Sequence, residues 1–240
     1  MWLLLVSILI SLPTSAARTL PRDCIEQILP HINASICVKK GDLFSADRHL
    51  VVGFTDTFDT DVSDSVLIAS SSVQAQFQQY FYGDRIGDLN ADLELALQHQ
   101  VIESLENPSD KTRGKLKRYP IGSVATLTFL DRNVFCTAYG RMSNNYLVQS
   151  SVDFLWASLG SLWEEVRQRG RLEPVAMPVI GAEMARVTSL SRESLLKLIL
   201  LSFVANSRQQ LITRSLTVFV HPKDFSDFDL LEIRSFLRKL

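Results

Sequence analysis

Residues 152–220 contain four runs that decide the fold: VDFLWASLGSLWEEV (152–166), LEPVAMPVI (172–180), ESLLKLILLSFVA (193–205) and LTVFV (216–220). In the first, Val152, Leu155, Trp156, Leu159, Leu162, Trp163 and Val166 form a stripe of helical period. That predicts an amphipathic helix on a sheet, with both tryptophans in the core. The second run is a mostly apolar strand. The third is apolar almost all round, as a buried helix is, and too short to span a bilayer. The fourth reads as a buried strand, and Leu230–Leu240 closes the chain with Leu230, Ile233, Leu237 and Leu240 on one helix face. Strands alternating with helices predict an α/β fold: a mixed sheet covered on both faces, three layers deep.

Working outward, SICVKK (35–40) and HLVVGFT (49–55) are short β-rich runs bounded by polar turns. Residues 72–82 fit a helix with Val73, Phe77 and Phe81 at helical spacing. Asp88–Val101 places Leu89, Leu93, Leu97 and Val101 on one helix face. Asn107–Arg118 (NPSDKTRGKLKR) reads as a solvated basic loop. SVATLTFL (123–130) and NVFCTAY (133–139) predict an antiparallel hairpin turning at Asp131–Asn133. Ligands of such sheets bind beyond the carboxyl ends of the strands. The loops there are Gly41–Asp42, Thr55–Ser63, Tyr139–Asn145, Gly181–Arg186 and His221–Asp224.

Composition narrows the function classes. With 25 basic and 26 acidic residues the net charge is −1, so no global positive field draws in nucleic acid. Cys24, Cys37 and Cys136 are too few for a disulfide scaffold and too scattered for structural zinc; free thiols in a reducing compartment are the simpler reading. The first 20 residues stand apart from 21–240, because Met1–Ala17 (MWLLLVSILISLPTSAA) carries no charge and Arg18 and Arg22 follow. A secretory signal, a membrane anchor or its remnant, and a buried N-terminal helix compete for it. A signal lacks its basic start, and a span needs about 20 apolar residues.

Local motifs are sparse. Pro178–Arg186 (PVIGAEMAR) leaves a strand and precedes a helix, so its backbone amides are placed to cradle an anion, with Arg186 beside them. Against that stands an ordinary strand–helix loop. Asp56, Asp59, Asp61 and Asp64 cluster after the second strand, but without calcium-loop spacing. No hydrolase elbow, Walker loop or dinucleotide fingerprint occurs. No metal or cofactor is implied.

The order of several blocks goes further. These are Gly41–Asp42–Leu43, VVGFTDTFDT (51–60), ASSSVQAQF (69–77), RYPIGSVATL (118–127), MPVIGAEMAR (177–186) and the strand–helix unit from Leu216. From about Ile36 to Leu240 the chain resembles a macro domain, specifically the divergent macro-like domain of Thoeris antiphage-defence effectors. The resemblance implies a macro-type mixed sheet and a cleft for ADP-ribose or a derivative. Carried over, Asp42 would accept from the adenine amino group, a charge-assisted bond. Ser71, Ser72 and Gln76 would supply donors in the first ligand loop. Gly181 and Ala182 would open the second phosphate loop, with Arg186 after it, and Thr55 and Asp56 lie in the region between. Glu183 stands where the family has glycine, and the Asn-Ala-Ala-Asn block of hydrolytic members is replaced by Val52–Asp56. Binding without turnover is therefore the expectation.

In those relatives membrane helices precede the domain, and a companion TIR enzyme makes the signal from NAD. The resemblance thus implies a membrane-associated effector with a cytoplasmic macro-like domain, an ADP-ribose-type ligand, a membrane contact through residues 1–20 and a homo-oligomer. The alternatives are an ADP-ribosyl hydrolase in which Asp56 or Asp59 positions water, and a secreted α/β protein of unrelated function.

Overall fold

The computed structural model describes residues 23–130, 132–182 and 190–240. An edge hairpin comes first, β1 (Cys24–Leu29) against β2 (Ala34–Lys40), and β3 (His49–Thr55) follows. Two helices, α1 (Val73–Phe81) and α2 (Ile86–Leu97), and a small ladder of β4 (Ser104–Leu105) and β5 (Lys117–Arg118) come next. The hairpin of β6 (Val124–Phe129) and β7 (Arg132–Met142) pairs up to Phe129 and Arg132. Beyond it β8 (Val148–Gln149) joins β7. The predicted alternation completes the chain: α3 (Val152–Arg169), β9 (Val175–Pro178), α4 (Arg192–Gln209), β10 (Ser215–Val220) and α5 (Leu230–Leu237).

The main sheet runs β1-β2-β10-β9-β3-β7-β6. Its interior pairs are all parallel, and the flanking pairs β1–β2 and β6–β7 are antiparallel. The carboxyl ends of β2, β10, β9, β3 and β7 therefore open along one edge. Period-2 alternation divides the strand side chains between two cores. Val51, Phe135, Met177 and Val218 meet α3 and α4 on one face; Leu50, Val52, Val134 and Ala176 meet the α1–α2 side on the other. The three-layer mixed sheet expected from the sequence is the fold observed.

Several local readings change. Trp163 is fully buried, donates from Nε1 to Ser202 Oγ at 2.9 Å and meets Phe203 edge-on, but Trp156 is 43% exposed and not core. Helix α2 ends at Leu97, leaving Val101 exposed. Strand β1 had no place in the sequence reading; it pairs with β2 so that Cys24 and Cys37 lie with sulfurs 2.6 Å apart. Burial and then Cys24 push the Cys37 thiol up to about 12. The expected membrane association is corrected: no helix among the described residues is long and apolar enough to cross a membrane. The apolar segment 1–20, on which that expectation rested, lies outside the described residues.

The basic loop is the largest correction. It is not simply solvated: Lys111 and Arg118 are buried. Lys111 Nζ sits 3.0 Å from Asp59 Oδ2 and donates to Lys115 O at 2.6 Å; Asp59 also accepts from Thr57 Oγ1 at 2.6 Å and from the Lys115 amide. Gly114 closes this turn at φ +78°, and a Cβ there would lie 2.3 Å from Asp59 Oδ1, so only glycine fits. Removing one partner of a buried pair strands the other charge. Lys111→Met is expected to destabilise by about 3–5 kcal/mol in chemical denaturation, while Lys117→Met, at an exposed position of the same loop, stays within about 0.5 kcal/mol.

Candidate functional site

The strand ends frame a two-lobed cleft. A polar lobe is lined by Asp42, Phe44, Ser71, Gln76 and Lys223 among others. An apolar lobe, lined by Thr55, Leu67, Ile68, Tyr139, Gly181 and Phe228 among others, encloses about 910 Å³ counting its open mouth. Val73, Pro178, Arg192, Phe219, His221 and Asp224 line both, so the lobes form one continuous groove. Asp42 and Gly181 share its rim.

Each wall has a local cause. After β2, Asp42 caps a short 3-10 turn by accepting from the Phe44 amide at 3.0 Å through Oδ1. The turn presses Phe44 into the core beside Tyr80 and leaves Asp42 exposed. Helix α1 starts at the cleft. Its cap Ser72 accepts from Ala75 N at 3.1 Å, and the first-turn amides point out of that end. Gln76 turns back to donate to Ser71 O at 3.0 Å, and Gln74, which lines the apolar lobe, donates to Asp59 O at 2.7 Å.

The apolar lobe depends on a bulge. Phe54 pairs with Ala138 but Thr55 with Gly140, so Tyr139 is the extra residue of β7. Its ring lies against Gly53, where a Cβ would come within 2.5 Å of Cε1. At the junction of the lobes His221 Nδ1 accepts from the Lys223 amide at 3.2 Å. Arg192, the first residue of α4, pairs with Asp224 at 2.7 Å.

Of the residues singled out from sequence, Asp42, Ser71 and Gln76 meet in the polar lobe, and Thr55, Ser72, Gly181 and Ala182 in the apolar lobe. Arg186, like Glu183, lies outside the described residues. Asp56 is a correction. It is fully buried and does not line the cleft. Its carboxylate accepts from Arg118 Nη1 at 2.7 Å and from the Met142 amide at 2.8 Å. Arg118 also binds Glu106, whose carboxyl is held below its usual range by Arg118 and then Asn144. The sequence reading passed over Arg192; Gln74 lay inside its 69–77 block and Tyr139 at the head of its Tyr139–Asn145 loop, neither with a role of its own. A strand-end location did point to His221 and Asp224, but no motif marks Arg192, which reads only as the start of a helix after Ser191. Among the described residues no group of three His, Cys, Asp or Glu could hold a metal.

The bulged ring is a packing constraint that can be measured. Gly53→Ala should cost about 1–3 kcal/mol through the clash with Tyr139. In a Tyr139→Ala background the same substitution should cost much less, a non-additivity read by thermal or chemical melts of the four-member cycle.

Known proteins resemble this arrangement. The chain is 23% identical over 219 residues to the Thoeris protein ThsA of Bacillus amyloliquefaciens (strain Y2), covering 88% of this chain and 71% of that protein. Two structures of the Oceanobacillus iheyensis macrodomain share the fold. One, a mutant, has a TM-score of 0.58 at 12% identity; the other, solved with ADP, has 0.57 at 10%. Each superposition covers 91% of this chain and all of the other. The family described as Thoeris protein ThsA, Macro domain, matches residues 36–221, from the middle of β2 to the histidine after β10. With most of its length inside that match and the fold it shares with the macrodomain structures, this chain belongs to the ThsA macro-domain family.

Proposed function

We propose that the domain senses an ADP-ribose-type nucleotide in antiphage defence and binds it without turning it over. The observation that carries this reading is the single groove joining Asp42 to Gly181 across the strand ends, in a chain of the ThsA macro family. The related macrodomain solved with ADP supports a nucleoside diphosphate as the ligand core.

The adenine lies in the polar lobe, between Phe44 and Phe219, its amino group donating to Asp42. One Asp42 oxygen is committed to the Phe44 amide, leaving the other for the base. The diphosphate crosses the junction, near the first-turn amides of α1 and the Gly181–Ala182 backbone. The distal sugar and whatever it carries enter the apolar lobe, over Gly53 and Tyr139. A companion TIR enzyme supplies the signal, and self-association converts binding into a response.

Absence of turnover is supported by where the carboxylates lie. The hydrolase reading asked Asp56 or Asp59 to position water. Both are buried in ion pairs away from the cleft, where neither can hold a nucleophile against a bound ligand.

Calorimetry of the full chain with ADP-ribose tests the reading, and no heat at millimolar ligand removes it. Asp42→Asn is the informative variant: its amide oxygen still caps the turn, but its NH₂ faces the base as a donor. Affinity is expected to fall about tenfold or more with the melting temperature unchanged.

A further inference from the structure

We infer that Arg192 is the side chain that reads the diphosphate, and that Asp224 is an internal competitor which occupies its guanidinium. This rests on the nucleotide-binding reading above and adds a residue and a regulatory contact to it.

Location comes first. Arg192 and Asp224 both line both lobes, so they stand at the junction that a ligand reaching from Asp42 to Gly181 must cross. Of the ion pairs among the described residues, this one alone has both partners on the cleft wall. Base and sugar can be held by shape and neutral donors. The charged middle of the ligand passes beside this pair.

Chemistry comes second. A guanidinium fork binds a carboxylate and a phosphate through the same two-pronged geometry, so one can stand in for the other. Arg192 Nη1 lies 2.7 Å from Asp224 Oδ2, and Nε lies 3.9 Å from Asp227 Oδ2. The side chains are 34% and 26% exposed. Water reaches the pair, so it is weak and open to exchange, unlike the sealed Lys111–Asp59 pair. A diphosphate laid across the junction meets a repelling Asp224 carboxylate and a guanidinium that Asp224 already holds. Binding therefore requires Arg192 to change partner.

Anchorage comes third. Asp224 belongs to the segment between β10 and α5, and that segment has a second tie to the start of α4: the Asp229 amide donates to Glu193 Oε2 at 3.1 Å. Neighbouring residues of α4 thus hold this wall at two points. Exchange at Arg192 releases one and leaves the other, so the wall can adjust without coming away.

The test is calorimetric titration of wild type, Arg192→Gln, Arg192→Lys and Asp224→Asn with ADP-ribose and, separately, adenosine, at low and high sodium chloride. Arg192→Gln should weaken ADP-ribose about tenfold and flatten its salt dependence, with Arg192→Lys in between. Asp224→Asn should tighten ADP-ribose by about three- to tenfold, because it removes both the competitor and the repulsion. Adenosine, having no phosphate, should be indifferent to all three. Weaker ADP-ribose binding by Asp224→Asn overturns the competitor role, since a carboxylate that merely positions Arg192 would give that sign. Unchanged binding by Arg192→Gln, or equal changes with adenosine, overturns the diphosphate role. Failure of the nucleotide reading shows differently, as wild type that binds no ADP-ribose, and it removes this inference too.

Discussion

Two carboxylates sealed from water, Asp56 and Asp59, impose the constraint around which this half of the molecule is arranged. A buried carboxylate without a partner costs several kcal/mol, so each needs a cation and further donors. Asp56 takes Arg118 and the Met142 amide; Asp59 takes Lys111, Thr57 and the Lys115 amide. Both cations come from residues 111–118, which are thereby drawn down over the end of β3. The Asp59 carbonyl then receives Gln74, which fixes the start of α1 relative to that strand. One wall of the cleft is thus positioned by charges that face away from it. Such pairs are poor sources of net stability, since an apolar replacement of equal volume often does as well. Their use here is positional.

The same pairs explain what was legible beforehand. The longer strands and helices from β2 onward could be read because their apolar periodicities are local: 49–55 alternates toward two cores, and 152–166 carries one stripe; the two-residue strands β4, β5 and β8 have no such pattern and were not read. The role of the basic loop could not. Lys111 and Asp59 are 52 positions apart, Arg118 and Asp56 are 62, and nothing in either stretch announces the other. A Lys- and Arg-rich segment with Gly and Pro has the composition of a solvated loop, and only tertiary pairing makes it an internal clamp. Likewise the aspartates after β3 read as candidate ligand groups because they follow a strand end, yet Asp56 and Asp59 turn inward to meet those cations. Strand β1 was missed for a different reason: in CIEQIL the apolar residues fall in adjacent pairs, Cys24–Ile25 and Ile28–Leu29, with Ile28 exposed at the sheet edge, so no period-2 alternation marks it.

Within the cleft, legibility follows the type of contact. Asp42, Gly181 and the 69–77 block lie at strand ends and helix starts, where main-chain geometry makes the site, and the ordered blocks of sequence locate those turns. Arg192, His221 and Tyr139 act through side chains whose approach depends on a bulge, a helix start and a ring orientation. Strand ends located the loops of His221 and Tyr139 but not what their side chains touch, and nothing local marked Arg192.

The charges along the groove bear on how selectivity arises. Among the described residues, Asp42 and Asp224 on one side of the balance face Arg192 and Lys223 on the other. The chain as a whole has a net charge of −1. Neither the molecule nor the described part of the cleft therefore presents a field that gathers anions indiscriminately. On the proposed reading, affinity for a nucleotide comes from directed groups: the Asp42 carboxylate toward a base amine, amides at the start of α1, and the Arg192 guanidinium at the lobe junction. Each rewards a particular atom at a particular place, and the apolar lobe beyond adds shape. A free phosphate gains too little from any one of these to compete, whereas a molecule that spans both lobes collects them all. On the proposed reading, a nearly neutral protein selects a nucleotide over smaller anions by the placement of its groups rather than by net charge.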